Sequence, residues 1–212
     1  MDKIWKYFPE LDESQRSKMS LLPGLYQDWN EKINLVSRQD MDNLAERHIL
    51  HSLAIAKVIR FLPNSSILDL GTGGGFPGIP LAILFPDVQF LLVDSTGKKI
   101  TVVQDIIEQL GIKNATSRHT RAEELSTKNA FDFVVSRAVA PLDKLLLWSQ
   151  KLISKKHKHP YPNGIFALKG GLLDEEIKAL PGKGTSYTEL FAVSNYFDEP
   201  FFQQKWVVYV QG

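Results

Sequence analysis

At 212 residues, 43% of them hydrophobic, the chain is long enough to bury a core of its own, and no apolar stretch has the length a bilayer-spanning helix needs. Twenty-five Lys and Arg against 24 Asp and Glu give a formal net charge of +1, which excludes a wholly basic nucleic-acid coat and leaves any polyanion site to a local patch. The lack of cysteine removes disulfides, thiolate nucleophiles and cysteine zinc sites together; with no apolar leader in "MDKIWKYFPELDESQ", the expectation is a cytoplasmic protein with no membrane partner.

Residues 1–62 read as helical. Leu21, Leu25, Trp29 and Ile33 form one apolar stripe at helical spacing, and Ile49, Leu53, Ala56 and Ile59 form another. "PNSS" (Pro63 to Ser66) breaks the second pattern. Beyond it the period changes to short apolar runs: "SILDLG" (66–71), "FLLVDS" (90–95), a weak run at 115–118, "FDFVVSR" (131–137), "GIFALKG" (164–170), "TELFAVSNY" (188–196) and "KWVVYVQ" (205–211). Helix-like segments near 79–85, 97–110, 141–153 and 172–180 separate several of them, so a mostly parallel sheet with helices on both faces is expected. No clear helix divides the last two runs, which predicts an antiparallel final strand.

The first of these runs opens a loop with two readings. Gly73, Gly75 and Gly78 have the G-x-G-x-x-G spacing of a dinucleotide site, with Asp94 about 20 residues on to accept ribose hydroxyls. Pro77 and Pro80, however, fall where a helix should deliver N–H groups to a pyrophosphate. Taken from Asp69, the stretch is D-x-G-T-G-G-G, in which Gly71, Gly73 and Gly75 allow close backbone approach and Asp69 offers a carboxylate to oppose an ammonium or sulfonium ligand. The cationic ligand is favoured: the stretch resembles the first motif of methyltransferases that use S-adenosylmethionine, which is the expected cofactor. An NAD-dependent oxidoreductase and a non-catalytic RNA- or nucleotide-binding module are the alternatives.

Four stretches, "WNEKINLVSRQD" (Trp29 to Asp40), "ERHILHSL" (Glu46 to Leu53), "ILDLGTGGGFPGIPLA" (Ile67 to Ala82) and "VVSRAVAPL" (Val134 to Leu142), with "RAEEL" and "LKGG" in support, make the chain resemble the RsmG/GidB family across almost its whole length. That family comprises bacterial methyltransferases of small-subunit (16S) ribosomal RNA acting on a guanine N7. The resemblance implies that Gly71 and Phe76 contact the cofactor, that Ala122 and Glu123 frame its adenine, and that Arg137 lies beside the methyl group. One departure is plain: the family usually has Asp where this chain has His51.

Guanine N7 carries an in-plane lone pair in the neutral base, so attack on a methyl carbon needs no general base, and positioning should supply the rate. Arg137 is the candidate for holding the guanine, through O6, a phosphate or stacking, with a salt bridge capping the strand end as its alternative. Candidate RNA contacts are Arg47, His48 and Lys169, then Arg118, Arg121 and the Lys/His run 151–159. His48 could equally be a packing histidine. Lys169 is preferred because residues beyond the carboxyl end of a central strand face the ligand crevice. The four tryptophans read as core, and the histidines have no metal-site spacing beyond isolated pairs.

The combined expectation is an α/β, Rossmann-like class I methyltransferase fold: a seven-stranded, mostly parallel sheet with an antiparallel last strand. An N-terminal helical extension occupies residues 1–62 and the S-adenosylmethionine domain residues 63–212. It should act as a monomer on ribosomal RNA.

Overall fold

The computed structural model describes residues 1–33, 35–181 and 187–212; Asn34 of the Trp29 to Asp40 stretch lies outside them. Helices α1 (Asp2–Tyr7) and α2 (Glu13–Lys32) open the chain. Asp12 starts α2 with a reciprocal cap, its carboxylate accepting from Gln15 N at 2.8 Å while the Gln15 side chain accepts from Asp12 N at 3.0 Å. The buried face of α2 is Met19, Leu22 and Tyr26, whereas Leu21, placed in the expected stripe, is 54% exposed. Adjacent leucines define two candidate stripes about 100° apart, and only the location of the sheet chooses between them. A short helix α3 (Arg38–Met41) follows; a π-helical stretch, Ala45–Leu50, then runs into α4 (His51–Leu53) and α5 (Ile55–Val58).

Seven strands then form one sheet among the described residues: β1 (Ser66–Leu70), β2 (Gln89–Asp94), β3 (Ala115–His119), β4 (Phe133–Arg137), β5 (Gly164–Gly170), β6 (Thr188–Ala192) and β7 (Lys205–Gln211). Their spatial order is β3-β2-β1-β4-β5-β7-β6. Strands β1 to β5 pair in parallel, and β7 inserts antiparallel between β5 and β6. The run expected at 188–196 is strand only to Ala192, after which Val193–Asn195 makes a 3-10 turn. Helices α6 (Gly78–Leu84), α7 (Gly97–Gln109), α8 (Leu142–Ser149) and α9 (Asp174–Lys178) complete the α/β alternation.

Alternation along each strand divides the core in two. Ile67, Phe133, Phe166 and Tyr209 pack with Met19, Leu22 and Tyr26 of α2 on one face, while Leu68, Val134, Ile165 and Val208 pack with Leu142 and Leu145 of α8 on the other. The N-terminal helices thus share a core with the sheet, and the 62/63 partition expected from sequence falls in the connection from α5 to β1. No helix among the described residues is long and apolar enough to cross a membrane.

Candidate active site

The carboxyl ends of β1, β2 and β4 enclose a cavity of about 400 Å³, whose lining includes Gly71, Gly73, Phe76, Asp94, His48 and Arg137. A second lobe of about 150 Å³ shares Gly71, Asp94 and Val139 with it and adds Ala122, Glu123, Arg121 and Trp148. Leaving β1, the chain turns at Gly71, whose φ of +71° and position 2.4 Å (from an added Cβ) from Val139 Cγ2 exclude a side chain. Gly75, with φ +102°, shapes the same loop from behind and does not line the cavity.

Asp69 does not face a ligand, contrary to the reading from sequence. Fully buried, its Oδ2 accepts from Thr72 Oγ1 at 2.6 Å and from Gly78 N at 2.8 Å. Burial pushes its carboxyl up to about 7, against the lowering effect of those two donors. An added Cβ on Gly78 would lie 2.6 Å from Asp69 Oδ2, so the acid and this glycine require each other. The start of α6 is consequently spent: Gly78 N–H goes to Asp69, Ile79 N–H goes to Gly75 O at 2.8 Å, and Pro77 and Pro80 have none. A pyrophosphate would find no free donor there, while a phosphate-free adenosine ligand needs none.

Asp94, at the end of β2, is 8% exposed, and its oxygens accept from Gly73 N at 2.9 Å and Thr96 N at 2.8 Å. Each oxygen keeps a lone pair for a ligand hydroxyl. Across the cavity, Tyr26 stacks on Phe76 at 4.7 Å and donates to Gly74 O at 2.6 Å, so α2 braces the glycine loop. The Arg137 guanidinium lies over the other part of this aromatic pair, 4.9 Å from the Phe76 centroid, and donates to His48 Nδ1 at 2.9 Å. An Arg can only donate, so His48 is neutral and carries its proton on Nε2. Burial first, and Arg137 second, push His48 down to about 4; burial likewise lowers Arg137 to about 10. Among the described residues no carboxylate lies within salt-bridge distance of Arg137, so the strand-end salt bridge is not what the structure holds.

A family model described as rRNA small subunit methyltransferase G, GidB, matches residues 15–194. The chain belongs to the GidB family. It is 55% identical over 210 residues to a ribosomal RNA small subunit methyltransferase G of Bacteroides fragilis, covering 99% of each chain, and 49% identical to that of Flavobacterium johnsoniae, covering 99% and 97%. In fold it is similar to a SAM-dependent methyltransferase from Aquifex aeolicus (TM-score 0.59, 14% identity, 82% of this chain and 98% of that one). It is likewise similar to a precorrin-6y C5,15-methyltransferase from Geobacter metallireducens (TM-score 0.58, 14% identity, 85% and 92%).

Several residues singled out for RNA contact in this GidB chain sit outside the cavity. Lys169 is 8% exposed and pairs with Glu176 Oε2 at 2.7 Å, while also donating to Ala140 O. Glu176 accepts from Leu142 N at 3.0 Å as well, so Lys169 ties β5 to the starts of α8 and α9. Arg47 pairs with Asp40 Oδ1 at 2.9 Å outside the cavity. The histidines of the 151–159 run belong to the amino edge of the sheet: His159 packs on Phe133 at 4.8 Å and accepts from Leu62 N at 3.0 Å, and His157 accepts from Asn163 N at 2.9 Å. His51, where the family resemblance expects Asp, is buried edge-on to Phe201 at 5.7 Å, with its Nε2 unpartnered.

Sequence reasoning missed Tyr26, Trp148 and Lys99. Tyr26 was hidden by choosing the wrong stripe, and Trp148 was assigned to the core. Lys99, in the first turn of α7 five residues past Asp94, lines the cavity, and no motif in the sequence marks it. No group of His, Asp or Glu among the described residues is placed to hold a metal ion.

Proposed function

We propose that this chain transfers the methyl group of S-adenosylmethionine to N7 of a guanine in small-subunit ribosomal RNA, in the cytoplasm. Membership of the GidB family supports ribosomal RNA methylation, and the fold neighbours support the cofactor. When bound, S-adenosylmethionine supplies an electrophilic methyl carbon on a sulfonium centre. The residues present fit it: Gly71 and Gly73 offer close backbone approach, Asp94 offers lone pairs to ribose hydroxyls, Phe76 offers an apolar cover, and the lobe at Ala122 and Glu123 suits an adenine.

The observation that carries the choice of nucleophile is the engagement of His48 by Arg137. Nδ1, the basic nitrogen of the histidine in the cavity, already accepts the guanidinium N–H, and its proton affinity is pushed far down. Both oxygens of Asp94 are likewise tied to backbone donors. A nucleophile that must first lose a proton is poorly served here, whereas guanine N7 needs no base. Arg137, held over Phe76, has further N–H groups to donate to guanine O6 or a flanking phosphate and so to hold the lone pair in line.

Calorimetry with S-adenosylmethionine, S-adenosylhomocysteine and NAD, followed by mapping of the methyl group in small-subunit RNA, tests this. Binding of the first two ligands and N7 methylation are expected. Binding of NAD alone, or methyl on another atom, overturns it.

A further inference from the structure

Strand parity brings an additional basic residue to the side of the sheet that holds Arg137. Phe133 and Val135 of β4, Phe166 and Leu168 of β5, and Val207 and Tyr209 of β7 all belong to the core under the N-terminal helices. Stepping by two from each places Arg137, Gly170 and Lys205 on that same face. Because β7 is antiparallel to β5, with Gly170 opposite Lys205, β7 begins at the edge where β4 and β5 end. Lys205 therefore stands at the crevice edge on Arg137's side, and Lys169 points to the opposite side.

The surroundings of Lys205 are those of an anion site. Its Nζ lies 5.0 Å from the centroid of Phe201, and the guanidinium of Arg47 lies 5.5 Å from the same ring. Gly170 keeps the space open, since an added Cβ there would come within 2.9 Å of Lys205 Nζ. Asp40 neutralises Arg47, but among the described residues no carboxylate lies within salt-bridge distance of Lys205. His51 sits edge-on to Phe201 and is kept neutral by burial and by Arg137 and Lys205, so it adds no third positive charge at the ring. Arg47 has its acid in Asp40, so Lys205 is the cation on this ring left without one, and an anion bound beside it relieves its repulsion from Arg47.

We propose that Lys205 and Arg47, set on Phe201, bind a backbone phosphate of the RNA substrate adjacent to the nucleotide held by Arg137. This rests on the ribosomal RNA methyltransferase reading above. The site takes a phosphodiester rather than a base, because its donors are two cations and its ring is already occupied by them.

The test is binding of a small-subunit RNA fragment over a range of salt. Lys205→Met, which keeps the aliphatic stem over Phe201, should weaken binding about fivefold at low salt and lower the slope of log affinity against log salt by about 0.7, as loss of one single-strand phosphate contact does. Lys205→Arg should restore both, and calorimetric affinity for S-adenosylmethionine should not change. On the unaltered chain, bound RNA should protect Lys205 from amine acetylation, a readout that does not depend on a variant folding. Wild-type slope in Lys205→Met, an equal drop from the exposed Lys156→Gln at the amino edge, or unprotected Lys205 overturns the proposal. Wild-type protein that transfers no methyl to small-subunit RNA instead overturns the functional reading on which it rests.

Discussion

Lys169 and Lys205 stand nearly opposite each other on adjacent strands, yet the two sides of the sheet use them differently. On the side of α8 and α9, Lys169 is buried against Glu176 and the loop after β4, and its charge is consumed in joining elements. On the side of the N-terminal helices, Arg137 and Lys205 have no carboxylate partner among the described residues and lean on aromatic rings instead. A cation buried against an acid spends its charge within the architecture, whereas one that leans on an aromatic ring without an acid keeps its charge unmatched.

That contrast breaks most sharply at Arg137. Arg137→Ala should lower methyl transfer at least about 100-fold, measured as single-turnover rate with saturating RNA, while S-adenosylmethionine affinity stays near wild type. A full rate would remove the distinction between the two sides. Lys169→Met should do the reverse: it should cost about 2 kcal/mol in chemical denaturation by stranding Glu176, and leave the salt slope of RNA binding unaltered. A reduced slope would return Lys169 to the RNA contacts.

The neutral histidines allow a sharper comparison by pH. Burial first, then Arg137 and Lys205, push His51 down to about 3. Below its ordinary value of 6.5 the unfolded chain takes up a proton that the native imidazole refuses, so the unfolded state binds more protons and stability falls as pH falls toward 3. His51→Leu removes this contribution alone, and between pH 7 and 5 it should lose about 2 kcal/mol less stability than wild type, read from urea midpoints at each pH. The smallest effect is expected at the brace of the glycine loop. Tyr26→Phe keeps the stacking on Phe76 but loses the bond to Gly74 O, costing about 1 kcal/mol of stability and a few-fold in S-adenosylmethionine affinity by calorimetry.

Much of this was legible in the linear chain. The change of period after Pro63 marked the entry into the sheet, six apolar runs and a weak one at 115–118 fell on the seven strands, and Pro77 and Pro80 after the glycines disfavoured a pyrophosphate. Local patterning suffices for these features because strand burial, turn geometry and proline's missing N–H act over a few residues. The motifs that carry the family resemblance also brought Gly71, Phe76, His48 and Arg137 to notice, strand-end spacing brought Asp94, and all of them line one cavity.

Only the folded chain could decide the rest. Which of Leu21 and Leu22 turns inward depends on where the sheet lies, and with it the recognition of Tyr26 as a brace. Asp69 was read as facing a ligand because sequence shows its nearness to the loop and not its direction; the fold turns it beneath the loop to meet Gly78. The tie between His48 and Arg137 spans 89 positions, and no local rule reports it. Lys169 is turned to α8 and α9 for the same reason: the linear chain shows a lysine near the end of β5, but strand parity and the reversal of β7 determine which side it and Lys205 face, and facing is a property of the assembled sheet.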